Sequence, residues 1–433
     1  MIYNEKFECM SLEELKNVQS ERLKKTVSYV YQYCPFYQKK FASHGISPKD
    51  IKTIDDIVKL PFTVKDDLRD NYPFGVLSMP LAQIAEIHVS SGTTGNPTVV
   101  GYSKEDIELW SEVMARAFCC AGGLPGDMVQ VAYGYGLFTG GLGAHYGALK
   151  AGMTVIPCSS GQTKRQLKIM QDFKPRILAC TPSYSLFMAD EAKEIGMDCK
   201  KSSWEIGVFG AEPWSDSMRK EIESIWNLSA TDIYGLSEII GPGVAQECTH
   251  KDGLHLFSDV FYPEVINPKT GKEAKEGETG MLVLTHLTKT GMPLLRYQTR
   301  DIIKITHEKC RCGRTSPRIS KILGRTDDMI IVRGINVFPS QIEEVLLRIE
   351  GTEPHYQLVV ERPHGGLDEL EVQVELKESF FSDEVKQLQH LSDKIRDEIE
   401  SVLGIGVKVR LVEPKTIARS EGKAKRVIDK RNI

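Results

Sequence analysis

No stretch of this 433-residue chain is apolar for long enough to span a bilayer, and no basic start followed by an apolar core opens it. A membrane partner and a secretory route are both unexpected, and the chain is read as cytoplasmic. Neither sign of charge dominates: 55 Lys and Arg stand against 59 Asp and Glu, a net of −4, which leaves no electrostatic basis for nucleic acid as a partner. Internal repeats and low-complexity segments are absent. Two familiar catalytic loops are missing too. No Lys follows Gly95, so G-x-x-x-x-G-K-[ST] and an ordinary P-loop NTPase are excluded. Gly235-Leu236-Ser237-Glu238 lacks the second glycine of the G-x-S-x-G elbow, which argues against a serine hydrolase. In a reducing compartment the 10 cysteines are expected as buried thiols or metal ligands rather than disulfides.

What the chain does hold is a run of hydroxyls and glycines, Ser90-Ser91-Gly92-Thr93-Thr94-Gly95-Asn96-Pro97-Thr98, straight after the apolar-leaning Ile84 to Val89. Gly92 and Gly95 have no Cβ, so the backbone can turn sharply and let its N–H groups converge on an anion. The Ser and Thr hydroxyls add rotatable donors. Ser90, Ser91, Gly92, Thr93, Thr94 and Gly95 are therefore candidates to grip the polyphosphate of a nucleotide. Such a cluster is equally an ordinary solvated turn, and the choice rests on its company.

The pattern along the chain predicts an α/β fold. Residues 1–60 read as a helical lead-in broken at Cys34-Pro35 and at Ser43 to Pro48, with a capping pattern at Thr63. Apolar runs at Met128 to Ala132, Thr154 to Pro157, Ile177 to Ala179 and Ile206 to Phe209 then alternate with amphipathic helical stretches. Those stretches are Lys104 to Ala121, Gly161 to Asp172 and Ser215 to Ile225, and the alternation indicates β-α-β units and a mostly parallel sheet. After Tyr234 short strands and turns take over, giving a β subdomain at about 240–320. Gly324-Arg325-Thr326-Asp327-Asp328 marks the boundary between a large N-terminal domain, 1–325, and a small α+β C-terminal domain, 326–433. The latter is expected to hold strands at Met329 to Val332, Tyr356 to Glu361, Glu369 to Leu376 and Val407 to Val412, helices at Pro339 to Glu350 and Asp383 to Val402, and a basic tail.

Five segments share the logic of the phosphate loop. Tyr234-Gly235-Leu236-Ser237-Glu238 sets a ring and a carboxylate around a glycine, able to stack a purine and to present Glu238 to Mg²⁺ on phosphate oxygens, or to form a turn with a capping Glu. Asp301, at the end of Tyr297-Gln298-Thr299-Arg300-Asp301, can accept both hydroxyls of a ribose or pair locally with Arg300. Gly324-Arg325-Thr326-Asp327-Asp328 offers a cation for phosphates or a surface turn, and Gly210-Ala211-Glu212-Pro213 reads as a tight turn lining a purine edge. Lys423, within Ser420-Glu421-Gly422-Lys423-Ala424-Lys425-Arg426, is a mobile cation or part of a solvated tail.

In order and spacing these segments, from 90 to 426, resemble the acyl-adenylate-forming superfamily of acyl-CoA synthetases. Tyr133-Gly134-Tyr135-Gly136-Leu137-Phe138-Thr139-Gly140-Gly141, the stretch Arg333 to Glu343 and Arg419 to Arg426 narrow the resemblance to the phenylacetate-coenzyme A ligase family. The resemblance implies a two-step reaction, in which a carboxylate attacks the α-phosphate of Mg·ATP and coenzyme A then displaces AMP from the acyl-adenylate. The first step brings two anions together, so their charge must be neutralised. By the same resemblance Lys423 is the adenylation lysine, Thr93 and Thr94 hold phosphates, Glu238 holds Mg²⁺, Tyr234 packs on adenine, Asp301 binds ribose and Arg325 contacts the nucleotide. Asp327 matches the hinge about which a swivelling C-terminal domain would withdraw Lys423 and bring Gly334 to the pantetheine tunnel. Tyr135 and Phe138, set among glycines, would wall a flat acyl pocket for an aromatic acid, or would simply be core. A homodimer is implied as well.

Cys310-Arg311-Cys312 is not a C-x-x-C finger, yet with Cys248 and His255 it offers a Cys₃His set of the structural zinc type, with His250 as a competing ligand and buried, unliganded thiols as the alternative. Two rival functions remain at this level. A deazaflavin adenylyltransferase would share the first step and differ in the acceptor, and a nucleotide-binding sensor would share the fold without the chemistry.

Overall fold

Ser11 begins the long N-terminal helix by a reciprocal cap: its hydroxyl accepts the Glu14 N–H at 3.2 Å while the Glu14 carboxylate accepts the Ser11 N–H at 2.9 Å. The helix Leu12–Tyr33 stops at Cys34 because Pro35 follows and starts a second helix, Pro35–Ser43. The computed structural model describes all residues except 91–96, 269, 327–329, 334, 364–366, 378–379, 381–384, 420–425 and 432–433. The expected cap at Thr63 is not one. Thr63 is buried and its hydroxyl donates to the Leu295 carbonyl at 2.7 Å, while the Asp67 carboxylate accepts the Val64 N–H at the start of the helix Lys65–Asp70.

By its internal contacts the chain divides into two compact units, Met1–Cys180 with Ser202–Ala211 and Leu228–Lys321, and Thr181–Lys201 with Glu212–Asn227 and Ile322–Ile433. In the first unit, nine strands among the described residues form one sheet. Its parallel half runs Thr154–Pro157, Met128–Val131, Ile177–Cys180, Ile206–Gly210, Ser229–Leu236. Ile177–Cys180 and Ile206–Gly210 are buried throughout, which is why they read in sequence as short unbroken apolar runs. Gly241–Glu247 and Leu254–Leu256 continue the sheet antiparallel. The carboxyl ends of the parallel strands bring Tyr133 to Tyr135, Gly210 and Tyr234 to one edge, the place where open α/β sheets bind ligands.

The β subdomain pairs Phe261–Ile266 with Gly280–His286 and the latter with Tyr297–Ile303, all antiparallel. Arg296 clamps it to the helical lead-in. Its guanidinium donates to both carboxylate oxygens of Glu264, at 3.0 and 2.7 Å, and to the carbonyls of Val58 and Leu60. Its flat face lies 4.0 Å from the Phe62 ring centre.

In the second unit, Thr352–Glu361 pairs antiparallel with Glu369–Leu376, which pairs parallel with Lys408–Val412. The helix Val385–Leu403 turns Ile395, Ile399 and Leu403, spaced four apart, into the core formed with Ile342, Leu358 and Val372. Ile399 is fully buried, and its truncation to Ala would cost about 2–5 kcal/mol. The basic tail is in part a strand: Val427–Asp429 adds parallel to Thr352–Glu361. The helix expected over Pro339 to Glu350 ends sooner, as Pro339–Leu346.

Candidate active site

The strand Glu86–Val89 carries the chain into the phosphate-loop candidates. It pairs antiparallel with Val99–Tyr102, and the Ser90 N–H donates to the Thr98 carbonyl at 2.9 Å. Ser91, Gly92, Thr93, Thr94 and Gly95 lie outside the described residues, as do Asp327, Gly334 and Lys423. The strand itself is anchored by a polar set around the buried His88, with Glu86 and Tyr146 half-buried. His88 Nε2 lies 2.5 Å from Glu86 Oε1, the Tyr146 hydroxyl donates to Glu86 Oε2 at 2.8 Å, and His88 Nδ1 lies 3.0 Å from the Leu137 carbonyl. The Val89 N–H donates to that same carbonyl at 3.0 Å. Burial pushes the Glu86 carboxyl up, but the bonds from His88 and Tyr146 outweigh it and hold it below the usual carboxylate value. The Tyr146 phenol is pushed up to about 12 by burial and by the Glu86 bond.

Leu137 belongs to the segment that holds the acyl-pocket candidates. Tyr135 is half-buried, its hydroxyl 3.2 Å from His145 Nδ1, and Phe138 is 54% exposed at the start of the helix Thr139–Lys150. The glycines of this region divide by role. A Cβ on Gly143 would come within 2.5 Å of the Trp110 ring, and one on Gly147 within 2.2 Å of Met114, so these two glycines bring two helices together rather than leave room for a ligand. Gly136 alone of the three faces open space, with nothing within 4 Å of its would-be Cβ.

Tyr234 and Asp301, 67 residues apart, meet: the Tyr234 hydroxyl donates to Asp301 Oδ2 at 2.5 Å. Gly235 permits the strand to bend onto its neighbour, since a Cβ there would stand 2.0 Å from the Gly241 carbonyl. The turn Ser237–Ile240 follows, with Glu238 nearly buried and Lys65 Nζ 3.8 Å from its carboxylate. Three tethers fix this turn. The Tyr102 hydroxyl donates to the Ser237 carbonyl at 3.4 Å, Thr139 Oγ1 lies 3.2 Å from Ser237 Oγ, and Lys289 Nζ donates to the Ile239 carbonyl at 2.9 Å. Burial pushes the Lys289 ammonium down to about 8, with Asp106 and Glu238 pulling the other way.

Gly210 presses against the Ile233 carbonyl, 2.3 Å from its would-be Cβ, and Ala211 takes a left-handed backbone with φ 72°. In the second unit Glu212 accepts the Ser183 N–H at 2.8 Å and the Ser183 hydroxyl, which satisfies the start of the helix Pro182–Glu194. Arg325 is half-buried in the short strand Gly324–Arg325 of that unit.

Cys248, His255, Cys310 and Cys312 converge, with one ligand atom of each within 4.8 Å of all the others. Cys248 Sγ and Cys310 Sγ lie 3.7 Å apart, close to the ~3.8 Å edge of a tetrahedron with ~2.3 Å metal–sulfur bonds. Cys312 Sγ lies 3.3 Å from His255 Nε2, and Ser316 Oγ, 3.3 Å from Nδ1, orients the ring. A hydrogen bond from Cys248, then His255, holds the Cys312 thiol well below the usual range against the opposing effect of burial. That same bond and burial push Cys248 up. The donor set fits zinc. His250, the competing ligand, is exposed and outside the set. Cys120 packs against the cluster, but burial keeps it protonated and its thiol faces the Gln246 carbonyl at 3.7 Å. The N-terminus is stapled to the same loop, with Arg314 donating to Glu8 at 2.6 Å and to the Met1 carbonyl at 2.8 Å.

Residues 18–288 match the AMP-binding enzyme family and 334–431 the AMP-binding enzyme C-terminal domain. The phenylacetate-coenzyme A ligase of Thermus thermophilus is 48% identical over 445 residues, covering 100% of both chains, and that of Escherichia coli is 49% identical over 438 residues, covering 100% of this chain and 99% of its own. The chain belongs to the phenylacetate-coenzyme A ligase family. A crystal structure of 2-hydroxyisobutyryl-CoA ligase in the postadenylation state with R3-HIB-AMP is similar to this family member at a TM-score of 0.92 and 30% identity, covering 98% of this chain and 91% of the other.

Family motifs led to Tyr234, Glu238 and Asp301, but not to the residues of this family member that hold them. Lys65, Tyr102, Asp106 and Lys289 were missed, as were Glu86, His88 and Tyr146. Each sits in a polar or mixed stretch where nothing local distinguishes a buried side chain from a solvated one.

Proposed function

We propose that this chain ligates an aromatic carboxylic acid, phenylacetate first among them, to coenzyme A through an acyl-adenylate, consuming Mg·ATP and releasing pyrophosphate and AMP. The observation that carries the reading is the full-length likeness to phenylacetate-coenzyme A ligases of two bacteria at 48% and 49% identity. The pairing of Tyr234 with Asp301 beside the Glu238 turn supports it.

In the first step a carboxylate oxygen of the acid attacks the α-phosphorus and pyrophosphate leaves. In the second the coenzyme A thiolate attacks the acyl carbon and AMP leaves, so one acid, one ATP and one thiol become thioester, AMP and pyrophosphate. Tyr234 and Asp301 would hold adenine and ribose, Ser90 to Gly95 the phosphates, and Gly210 to Glu212 the purine edge. Glu238 would hold Mg²⁺, which supplies positive charge for the phosphates, and Lys65 must then yield its place beside that carboxylate. Lys423 would steer acid and α-phosphate together, Arg325 would contact the nucleotide, and rotation about Asp327 would bring Gly334 to the thiol tunnel. Tyr135 and Phe138 would wall the ring of the acid.

Zinc, held by Cys248, His255, Cys310 and Cys312, would be structural, because four protein ligands leave no position for substrate. The proposed location is the cytosol, where the ten free cysteines stay reduced, and the proposed assembly is a homodimer, checked by light scattering. The deciding experiment is pyrophosphate release from Mg·ATP with aryl acetates, benzoates and short fatty acids, each with and without coenzyme A. Release confined to aryl acids, with thioester and AMP as products, is the expected result. Release without any thioester product would overturn it.

A further inference from the structure

Lys289 is 1% exposed, yet among the described residues no carboxylate oxygen comes within 4.0 Å of its ammonium. Its polar partners are one carbonyl, that of Ile239 at 2.9 Å, and the face of Tyr102, whose ring centre is 4.0 Å away. A buried cation without a matched anion is costly, and a methionine would fill the same space without that cost. The surrounding structure nevertheless holds the lysine in place. Asp106 accepts the Thr290 and Gly291 N–H groups at 2.7 Å each, as well as the Ser103 N–H at 3.0 Å, and the Lys289 N–H donates to His286 Nδ1 at 3.1 Å. The backbone on both sides of the residue is thus fixed, and the side chain runs under the turn Ser237–Ile240.

We infer that Lys289 is a positioning residue for the metal–nucleotide complex: it fixes the turn that presents Glu238 and sets a cationic ammonium beneath that turn, on the side where the triphosphate is proposed to lie. The inference rests on the nucleotide reading given above. Tyr102 belongs to the same device, since its ring meets the ammonium and its hydroxyl meets the Ser237 carbonyl.

The test uses Lys289→Met, which keeps the volume and removes charge and donor, and Lys289→Gln, which keeps a donor. Acid-dependent pyrophosphate release is measured against Mg²⁺ at fixed ATP, alongside thioester formation from supplied acyl-AMP and coenzyme A. Lys289→Met is expected to raise the half-saturating Mg²⁺ and the KM for Mg·ATP about tenfold, with the second half-reaction within twofold of wild type. Lys289→Gln is expected to lie between the two. Thermal melting reports folding, and if the Met variant does not fold, a threefold or larger Mg²⁺ shift in the Gln variant is the required result. A folded variant with unchanged Mg²⁺ dependence, or one in which both half-reactions fall equally, overturns the inference. Calorimetric titration with Mg·ATP separates the two levels: a wild type that binds none fails the nucleotide reading, whereas equal binding by wild type and variants fails the Lys289 assignment alone.

Discussion

Glu221 gives the most quantitative handle on the second unit. Burial, and then the neighbouring carboxylate of Glu353, push its carboxyl from 4.5 up to about 7, with Lys377 and Lys193 opposing. Between those values the folded chain holds a proton that the unfolded chain has released, so stability falls as pH rises through this window and levels off above about 7. Raising the carboxyl from 4.5 to about 7 corresponds to about 3.4 kcal/mol. Of this, about 2.5 kcal/mol is lost between pH 5 and pH 8, since the unfolded carboxyl is already largely ionised at pH 5. Glu221→Gln mimics the protonated acid at every pH. The variant should therefore be more stable than wild type by a margin that widens by about 2.5 kcal/mol from pH 5 to pH 8, in urea unfolding followed by fluorescence. Trp226, fully buried on the same helix, is a suitable reporter. A margin independent of pH, or a variant less stable at pH 8, would refute the reasoning. Glu353→Gln removes the repelling charge and should shrink the margin, because the two carboxylates act on each other.

The knuckle formed by Cys248, His255, Cys310 and Cys312 predicts about one zinc per chain by elemental analysis, and Cys310→Ser should lose most of it together with several degrees of melting temperature; full zinc content in that variant would exclude Cys310 as a ligand. Lys423→Ala should abolish most acid-dependent ATP use while still converting supplied acyl-AMP and coenzyme A to thioester, and equal loss of both steps would refute the division of labour. Glu264→Gln leaves the buried Arg296 guanidinium without its bidentate anion and should destabilise the β subdomain by about 3 kcal/mol, at the low end of the usual range because two carbonyls and the Phe62 face remain. Chemical unfolding of the variant beside wild type checks it, and a loss under 1 kcal/mol would show that those remaining partners suffice.

Periodicity was enough to read four of the five parallel strands of the central sheet as apolar runs between amphipathic helices, though not Ser229–Leu236, where Ser229, Thr231 and Asp232 interrupt the run. The runs at Ile177 and Ile206 are the clearest cases. It failed at Val427–Asp429, which looks like part of a basic tail because an added strand needs only backbone partners, and those leave little mark on composition. Tyr234 and Asp301 were visible as separate motifs, but their contact depends on a register between distant strands that no local pattern encodes. Lys289 and the Glu86, His88 and Tyr146 set were invisible for a related reason. A buried polar residue differs from a solvated one only in what the fold brings against it.

The carbonyl of Leu137 accepts the Val89 N–H and faces His88 Nδ1, so one oxygen joins the strand that leads to the phosphate loop with the segment proposed to wall the acid. With the two subsites placed as proposed, neither can settle without setting the other. Synergistic binding of acid and nucleotide is the expected outcome, checked by titrating each in the presence of the other, and by thermodynamic reciprocity each would tighten the other by the same factor. An aryl acid that fits its pocket poorly would be penalised twice, once in its own affinity and again in a looser hold on ATP, so discrimination among acids would extend beyond the walls that touch them.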